Sequence, residues 1–130
     1  MVMPTEFIST VPIIPARDTE AATAWYRDEL GFEVFHVEPE YAIAGRGESW
    51  IHFWGPSDIA PEDSMTMIRV GVRGIDELHT GCQERGIVHP NAPLVQQPWG
   101  FREFSVRDRD GNLVTFFEPP EGYDPREGGE

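Results

Sequence analysis

The sequence predicts an α+β domain made of two βαβββ modules in tandem. Three observations carry that expectation. A strand–helix–strands order is legible twice, and the interval from the helix-ending Gly31 to Gly86 equals that from one strand start, Val11, to the other, Thr66. The segment 55–63, rich in Pro, Ser and Asp, has the character of a linker between the copies. The chain then runs into a hairpin, with Phe104 and Val106 alternating with Glu103, Ser105 and Arg107 before an Asp110-Gly111-Asn112 turn. A module of this kind cannot bury its helix well alone, which accounts for the pairing. The boundaries are module 1 at about residues 7–55, a linker at 56–64, module 2 at about 65–118, and an acidic tail at 119–130.

Each element follows from its residues. The run 10–14 is apolar but contains Pro12 and stops at Pro15, so it is a strand at a sheet edge, where a missing N–H is tolerated. Asp18 or Thr19 caps a helix whose Ala22, Trp25, Tyr26 and Leu30 fall at helical spacing, with Trp25 expected in the core. Gly31 ends it, and Phe32 packs where the chain turns back. Strands are predicted over 33–37, 41–44 and 49–54, the last two joined through Gly45-Arg46-Gly47. In the second copy the strands are 65–72, 88–94, 102–106 and 113–117, and the helix is 76–85. The tail acids Glu121, Asp124, Glu127 and Glu130 are expected to be solvated and disordered.

Composition narrows the function. Hydrophobic residues at 39% and aromatic residues at 12% suit one folded domain that buries roughly two-thirds of its chain surface. The lone Cys82 excludes an internal disulfide and agrees with a cytoplasmic protein, as does the lack of a basic and apolar leader. No apolar run approaches membrane-spanning length. Twenty-three acids face ten arginines and no lysine, a net charge of −13. That charge argues against a nucleic-acid partner and favours a cationic ligand at long range.

The series Pro98-Trp99-Gly100, Arg102-Glu103-Phe104, Arg107-Asp108 and Gly111-Asn112 resembles the C-terminal hairpin of the glyoxalase and bleomycin-resistance group. The resemblance extends over nearly the whole chain through Val11-Pro12-Ile13-Ile14, Ala16-Arg17-Asp18, Leu30-Gly31-Phe32 and the segment from Val72 to Leu78. It is nearest to the bleomycin resistance proteins. It implies two curved half-barrels whose concave faces open onto ligand clefts, and a homodimer that exchanges its N-terminal strand. Phe101, between Gly100 and Arg102, and the linker are departures from that pattern at the cleft rim.

The same resemblance separates an enzyme from a binding protein. Metal-dependent members place one His, Glu or Gln on each of four strands, and the matching positions here are Val11, His52, Met67 and Thr115. One imidazole does not hold a divalent ion against water, so no metal and no cofactor is expected. Asp108-Arg109-Asp110-Gly111 lacks the spacing of a calcium loop. Phosphate-binding glycine loops and Ser-His-Asp sets are also missing from the sequence.

Strand parity assigns the cleft. With Ile51 and Phe53 against the helices, Trp50, His52 and Trp54 face the concave side; with Ile68 and Val70 buried, Met67 and Arg69 do. Glu103, Ser105, Thr115 and Phe117 join from the hairpin. Trp99 in its Pro-Trp-Gly loop resembles the tryptophan with which resistance proteins clamp the bithiazole of bleomycin, and Tyr41, after Glu38-Pro39-Glu40, resembles their aromatic position beyond an acidic stretch. The expected ligand-binding set is therefore Tyr41, Trp50, His52, Trp54, Met67, Arg69, Trp99, Glu103 and Ser105. The expected function is sequestration of a cationic aromatic small molecule. The alternatives are a metal-dependent glyoxalase, dioxygenase or lyase of the same fold, and a metabolite-binding module.

Overall fold

The computed structural model describes residues 3–127, and it consists of two four-stranded sheets, each with one helix. In module 1, β1 (Ile13–Pro15) leads into α1 (Thr19–Leu30), β2 (Glu33–Glu38), β3 (Tyr41–Arg46) and β4 (Ser49–Trp54), with strand order β1-β4-β3-β2. In module 2, β5 (Met67–Gly71) leads into α2 (Ile75–Glu84), β6 (Val95–Gln96), β7 (Arg102–Arg107) and β8 (Leu113–Glu118), with order β5-β8-β7-β6. In both sheets the first strand lies parallel to the last, and the remaining pairs are antiparallel. The sequence repeat is thus a repeat of topology.

Local chemistry explains the helix ends. Asp18 accepts the Ala21 N–H at 3.1 Å as the N-cap of α1, and Gly31 closes it with φ 71° in the left-handed region. Helix α2 begins at Gly74, which has no side chain to cap it. Glu118, at the end of β8, does so instead: its Oε1 accepts the N–H groups of Gly74 at 2.7 Å and Ile75 at 2.9 Å. The last strand therefore ties down the start of the helix that packs over its sheet.

Three expectations are corrected. The first strand is shorter than 10–14, because Pro12 offers no N–H and only its carbonyl joins the sheet, accepting from His52 N at 3.0 Å. The segment 88–94 is not a strand. Val88 bridges Val106, His89 and Ala92 bond the two sides of Ser105, and Pro90 and Pro93 break the ladder until Val95. The acidic tail is not solvated throughout, since Tyr123 packs edge-on against the buried Phe101 with ring centroids 4.9 Å apart. Glu130 lies outside the described residues.

One continuous core joins the modules, running from Ile14, Tyr26, Phe32, Ile51 and Phe53 to Ile75, Phe104, Val114 and Phe116. Its buried helix anchor is Tyr26 at 1% exposure, whereas Trp25 is only partly buried at its margin. Tyr26 meets Phe32 and Phe53 edge-on and donates its hydroxyl to Asp108 Oδ2 at 2.7 Å, across 82 positions of sequence. Asp108 also receives the backbone N–H of Asp110 and of Asn112 and the Asn112 side-chain amide. That amide reaches on to the Pro15 carbonyl at 3.1 Å, and Arg17 bonds Asp110 Oδ1 through both its backbone N–H and its Nε. The β7–β8 turn is thereby plugged into module 1.

Burial pushes the Asp108 carboxyl above its usual range, against the pull of the hydrogen bonds from Tyr26 and Asn112. The Tyr26 phenol is raised well above its ordinary value, first by burial and then by the neighbouring Asp108. The folded protein thus keeps a proton that the unfolded chain releases near pH 10, so this contribution to stability is complete below about pH 10 and drains away above it. Tyr26→Phe should lower stability at pH 8 by about 1–2 kcal/mol, the cost of an unmade hydrogen bond to a buried carboxylate. It should also flatten the decline between about pH 9 and 11. Urea unfolding of both proteins across that range checks both effects.

Candidate functional site

Sheet register decides which side chains share a surface. In module 1, His52 lies between Ile13 on β1 and Ile43 on β3, while Trp54 pairs with Tyr41 and Trp50 with Gly45. Ile51 and Phe53 are buried against the helix, so Trp50, His52 and Trp54 present to the opposite, concave face. Tyr41, Trp50 and Trp54 are 37–47% exposed, a large amount of aromatic surface for one sheet face. The Tyr41 hydroxyl and His52 Nδ1 share a hydrogen bond of 3.1 Å, and Tyr41 lies between the rings of His52 and His36.

Phe35 also belongs to this surface, although alternation along 33–37 does not single it out. Glu33 pairs with Gly45 and so lies on the Trp50 side. Phe35, two residues on, stacks on Trp50 at 4.9 Å, and a β-bulge between Val34 and His36 brings His36 to the same face. Gly45 makes the stack possible: a Cβ there would sit 3.0 Å from Phe35 and 3.2 Å from Trp50. A glycine inside a strand opposite a tryptophan is the sequence signal that could have found it.

Module 2 presents a more polar face. Glu103, only 8% exposed, is held by Arg69 at 2.9 Å, and the Arg69 guanidinium lies 4.7 Å above the Phe117 ring. Ser105 and Thr115 share a hydrogen bond of 2.8 Å on neighbouring strands. Met67 is 69% exposed on the edge strand. Trp99 is 44% exposed on the loop between β6 and β7, which is closed by Gly100 N to Gln97 O at 2.9 Å and Gln97 N to Phe101 O at 2.7 Å.

The structure thus gathers the nine expected residues into two sets. Tyr41, Trp50, His52 and Trp54 share one sheet face. Met67, Arg69, Glu103 and Ser105 share the other sheet, with Trp99 on its rim loop. Glu103 faces its arginine and is not a free anion for a cationic ligand. A further cleft of about 1200 Å³ lies elsewhere, between the C-terminal end of α1 and α2. Its four arginines are engaged, Arg27 with Asp28, Arg46 with the Leu30 carbonyl, Arg73 with the Pro119 carbonyl and Arg85 with Glu29.

Metal chemistry does not fit this surface. Of the four matching positions only His52 has a strong donor, and its Nδ1 is taken up by Tyr41. Thr115 is bonded to Ser105, while Val11 and Met67 offer no hard or nitrogen ligand. Among the described residues, no three His, Cys, Asp or Glu side chains are grouped so as to hold an ion.

The fold thus combines an aromatic face on the first sheet, a polar face on the second, and a quartet of matching positions with a single strong metal donor. The model of the glyoxalase/bleomycin resistance protein/dioxygenase superfamily matches residues 8–116. The chain belongs to that superfamily. It is 34% identical over 127 residues to a bleomycin resistance protein of Geobacillus stearothermophilus, covering 85% of this chain and 96% of the relative. Bleomycin resistance proteins of Staphylococcus aureus match to the same extent. The bleomycin-binding protein of Streptomyces verticillus, solved with copper(II)-bleomycin, superposes with a TM-score of 0.75 at 29% identity, covering 91% of this chain and all of that one. A bleomycin resistance determinant encoded on transposon Tn5 superposes with a TM-score of 0.77 at 22% identity, over 88% and 99% of the two chains, a likeness of fold. The α+β architecture and the family expected from the sequence are both borne out.

Gly45→Ala tests the Phe35–Trp50 stack. The added methyl meets both rings and the Ser49 carbonyl, 2.9 Å away, and should cost about 1–3 kcal/mol as overpacking. In the Gly45→Ala, Phe35→Ala double variant the two losses should fall short of additive, because one ring clash is gone. Denaturant unfolding of the four proteins measures this coupling.

Proposed function

We propose that this protein binds and sequesters a cationic, flat aromatic drug of the bleomycin type, without bond chemistry and without a cofactor. The observation that carries this reading is the pairing of 34% identity to bleomycin resistance proteins, over 85% of this chain, with exposed indole and phenol faces at Tyr41, Trp50, Trp54 and Trp99. Indole faces stack heteroaromatic rings and attract cations, each contact contributing about 0.5–2 kcal/mol. Because Glu103 is compensated by Arg69, attraction of the cation falls to the chain's overall charge of −13. Tight binding alone keeps free drug low, and a cytoplasmic protein would meet such a drug before it reached its target. Among the described residues no helix is long and apolar enough to cross a membrane.

The assembly we propose is a homodimer in which each cleft takes the aromatic face of one chain and the Arg69–Glu103 face and Trp99 loop of the other. Residues 3–11 are exposed along their whole length, with Phe7 at 95% and Ile8 at 84%, and β1 has only three residues. An apolar arm and two open sheet faces of this kind favour exchange of the arm with a second copy.

Titration with bleomycin should quench tryptophan fluorescence, and the affinity should fall with added salt. Trp99→Ala should weaken binding by about 1–3 kcal/mol with little change in melting temperature. Unchanged affinity would remove Trp99 from the cleft. Light scattering at micromolar concentration should return twice the chain mass of 14.7 kDa, and the chain mass itself would refute the shared cleft.

A further inference from the structure

The Trp99 loop has little to fix it on its own strand. Strand β6 contributes two residues, and the loop turns through Gly100 at φ 94°. Its firm point is Phe101, a large side chain that is 1% exposed. Phe101 is buried between the sheet and the chain that follows it. On one side it stacks on Phe117, with centroids 5.4 Å apart and planes at 8°. Tyr123 closes the other contact edge-on, 4.9 Å away at 90°.

The chain that carries Tyr123 is itself anchored. The Pro119 carbonyl accepts from Arg73 Nη1 at 2.8 Å, and Tyr123 N bonds back to the Pro120 carbonyl at 3.2 Å. The Pro120 ring lies against Gly100, 3.6 Å from where a Cβ would stand. The far face of this aromatic column is the candidate cleft, because the Phe117 ring also receives the Arg69 guanidinium that holds Glu103.

We propose, resting on the binding reading above, that residues 119–126 latch the Trp99 loop, with Tyr123 and Phe101 as positioning residues for the ligand. Tyr123 wedges Phe101 against Phe117, which fixes the loop's C-terminal root and holds the Trp99 indole in its stacking pose. A loop ordered before the ligand arrives does not lose that freedom on binding, so the latch acts on affinity. An edge-on aromatic pair is worth enough to matter on that scale.

The test uses the full chain labelled with 5-fluorotryptophan, its Trp99 resonance assigned by Trp99→Phe. Tyr123→Ala should shift or broaden the Trp99 resonance while leaving that of Trp25 in place. It should raise the Kd for bleomycin between about 3-fold and 10-fold, the range that one aromatic contact supplies. Tyr123→Phe, which keeps the ring, should restore both. A chain ending at Pro120 should behave as Tyr123→Ala does. An unmoved Trp99 resonance with unchanged Kd in both latch variants overturns the proposal, as does a Tyr123→Phe variant that loses as much as Tyr123→Ala. Failure of the unsubstituted protein to bind bleomycin overturns the sequestration reading instead, and the Trp99 resonance then decides the latch alone.

Discussion

The buried carboxylate of Asp108 is the point on which the two-module arrangement depends. It gathers the Tyr26 hydroxyl from α1 together with the N–H groups of its own turn and the Asn112 amide, which in turn binds the Pro15 carbonyl. Each module has a helix to bury, and the shared core forms only if the β7–β8 turn sits against β1 and α1. An uncompensated carboxylate in that position would be costly, so all these donors must be in place together. The linker respects the same knot. Ser64 donates to the Asn112 side chain at 2.9 Å, and the Pro61 carbonyl lies against Gly111, where any side chain would collide with it. Gly111 also holds φ 79°, so both its space and its backbone conformation call for glycine.

With the modules fixed through their helix sides and turns, the opposite faces of the two sheets are left open. The strands put Ile51, Phe53, Phe104, Val106, Val114 and Phe116 into the core at alternate positions. The residues between them then have nowhere to go but the concave faces. On the first sheet these are large aromatics; on the second they are a compensated ion pair, a hydroxyl pair and a methionine. The two open faces are therefore unlike in chemistry, one aromatic and the other polar. On these faces His52 is bonded to Tyr41, Glu103 to Arg69 and Ser105 to Thr115, so the side chains at and around the metal-ligand positions are engaged with one another.

Much of this was legible in the sequence. Alternation within 49–54 and 102–106 determined which side chains lie on the sheet face opposite the core, because a strand has only two faces and the apolar set must occupy one. Helix-ending Gly31 and Gly86 and the Asp110-Gly111-Asn112 turn marked the repeat, because few residues accept a left-handed or tight-turn backbone. The charge of −13 and the quartet of Val11, His52, Met67 and Thr115 were the sequence grounds for expecting a small cationic ligand and no metal.

Tertiary structure decided what depends on residues far apart in the chain. The stacking of Phe35 on Trp50, the pairing that commits Glu103 to Arg69, and the docking of Tyr123 on Phe101 each arise from contacts between separate elements. So does the transfer of core weight from Trp25 to Tyr26, which follows from where Asp108 lies. Pro90 and Pro93 turned a plausible strand into an irregular run, because a ladder needs N–H groups that only a neighbouring strand can call upon. Periodicity reports which face a residue prefers; which partner waits on that face is a property of the folded chain.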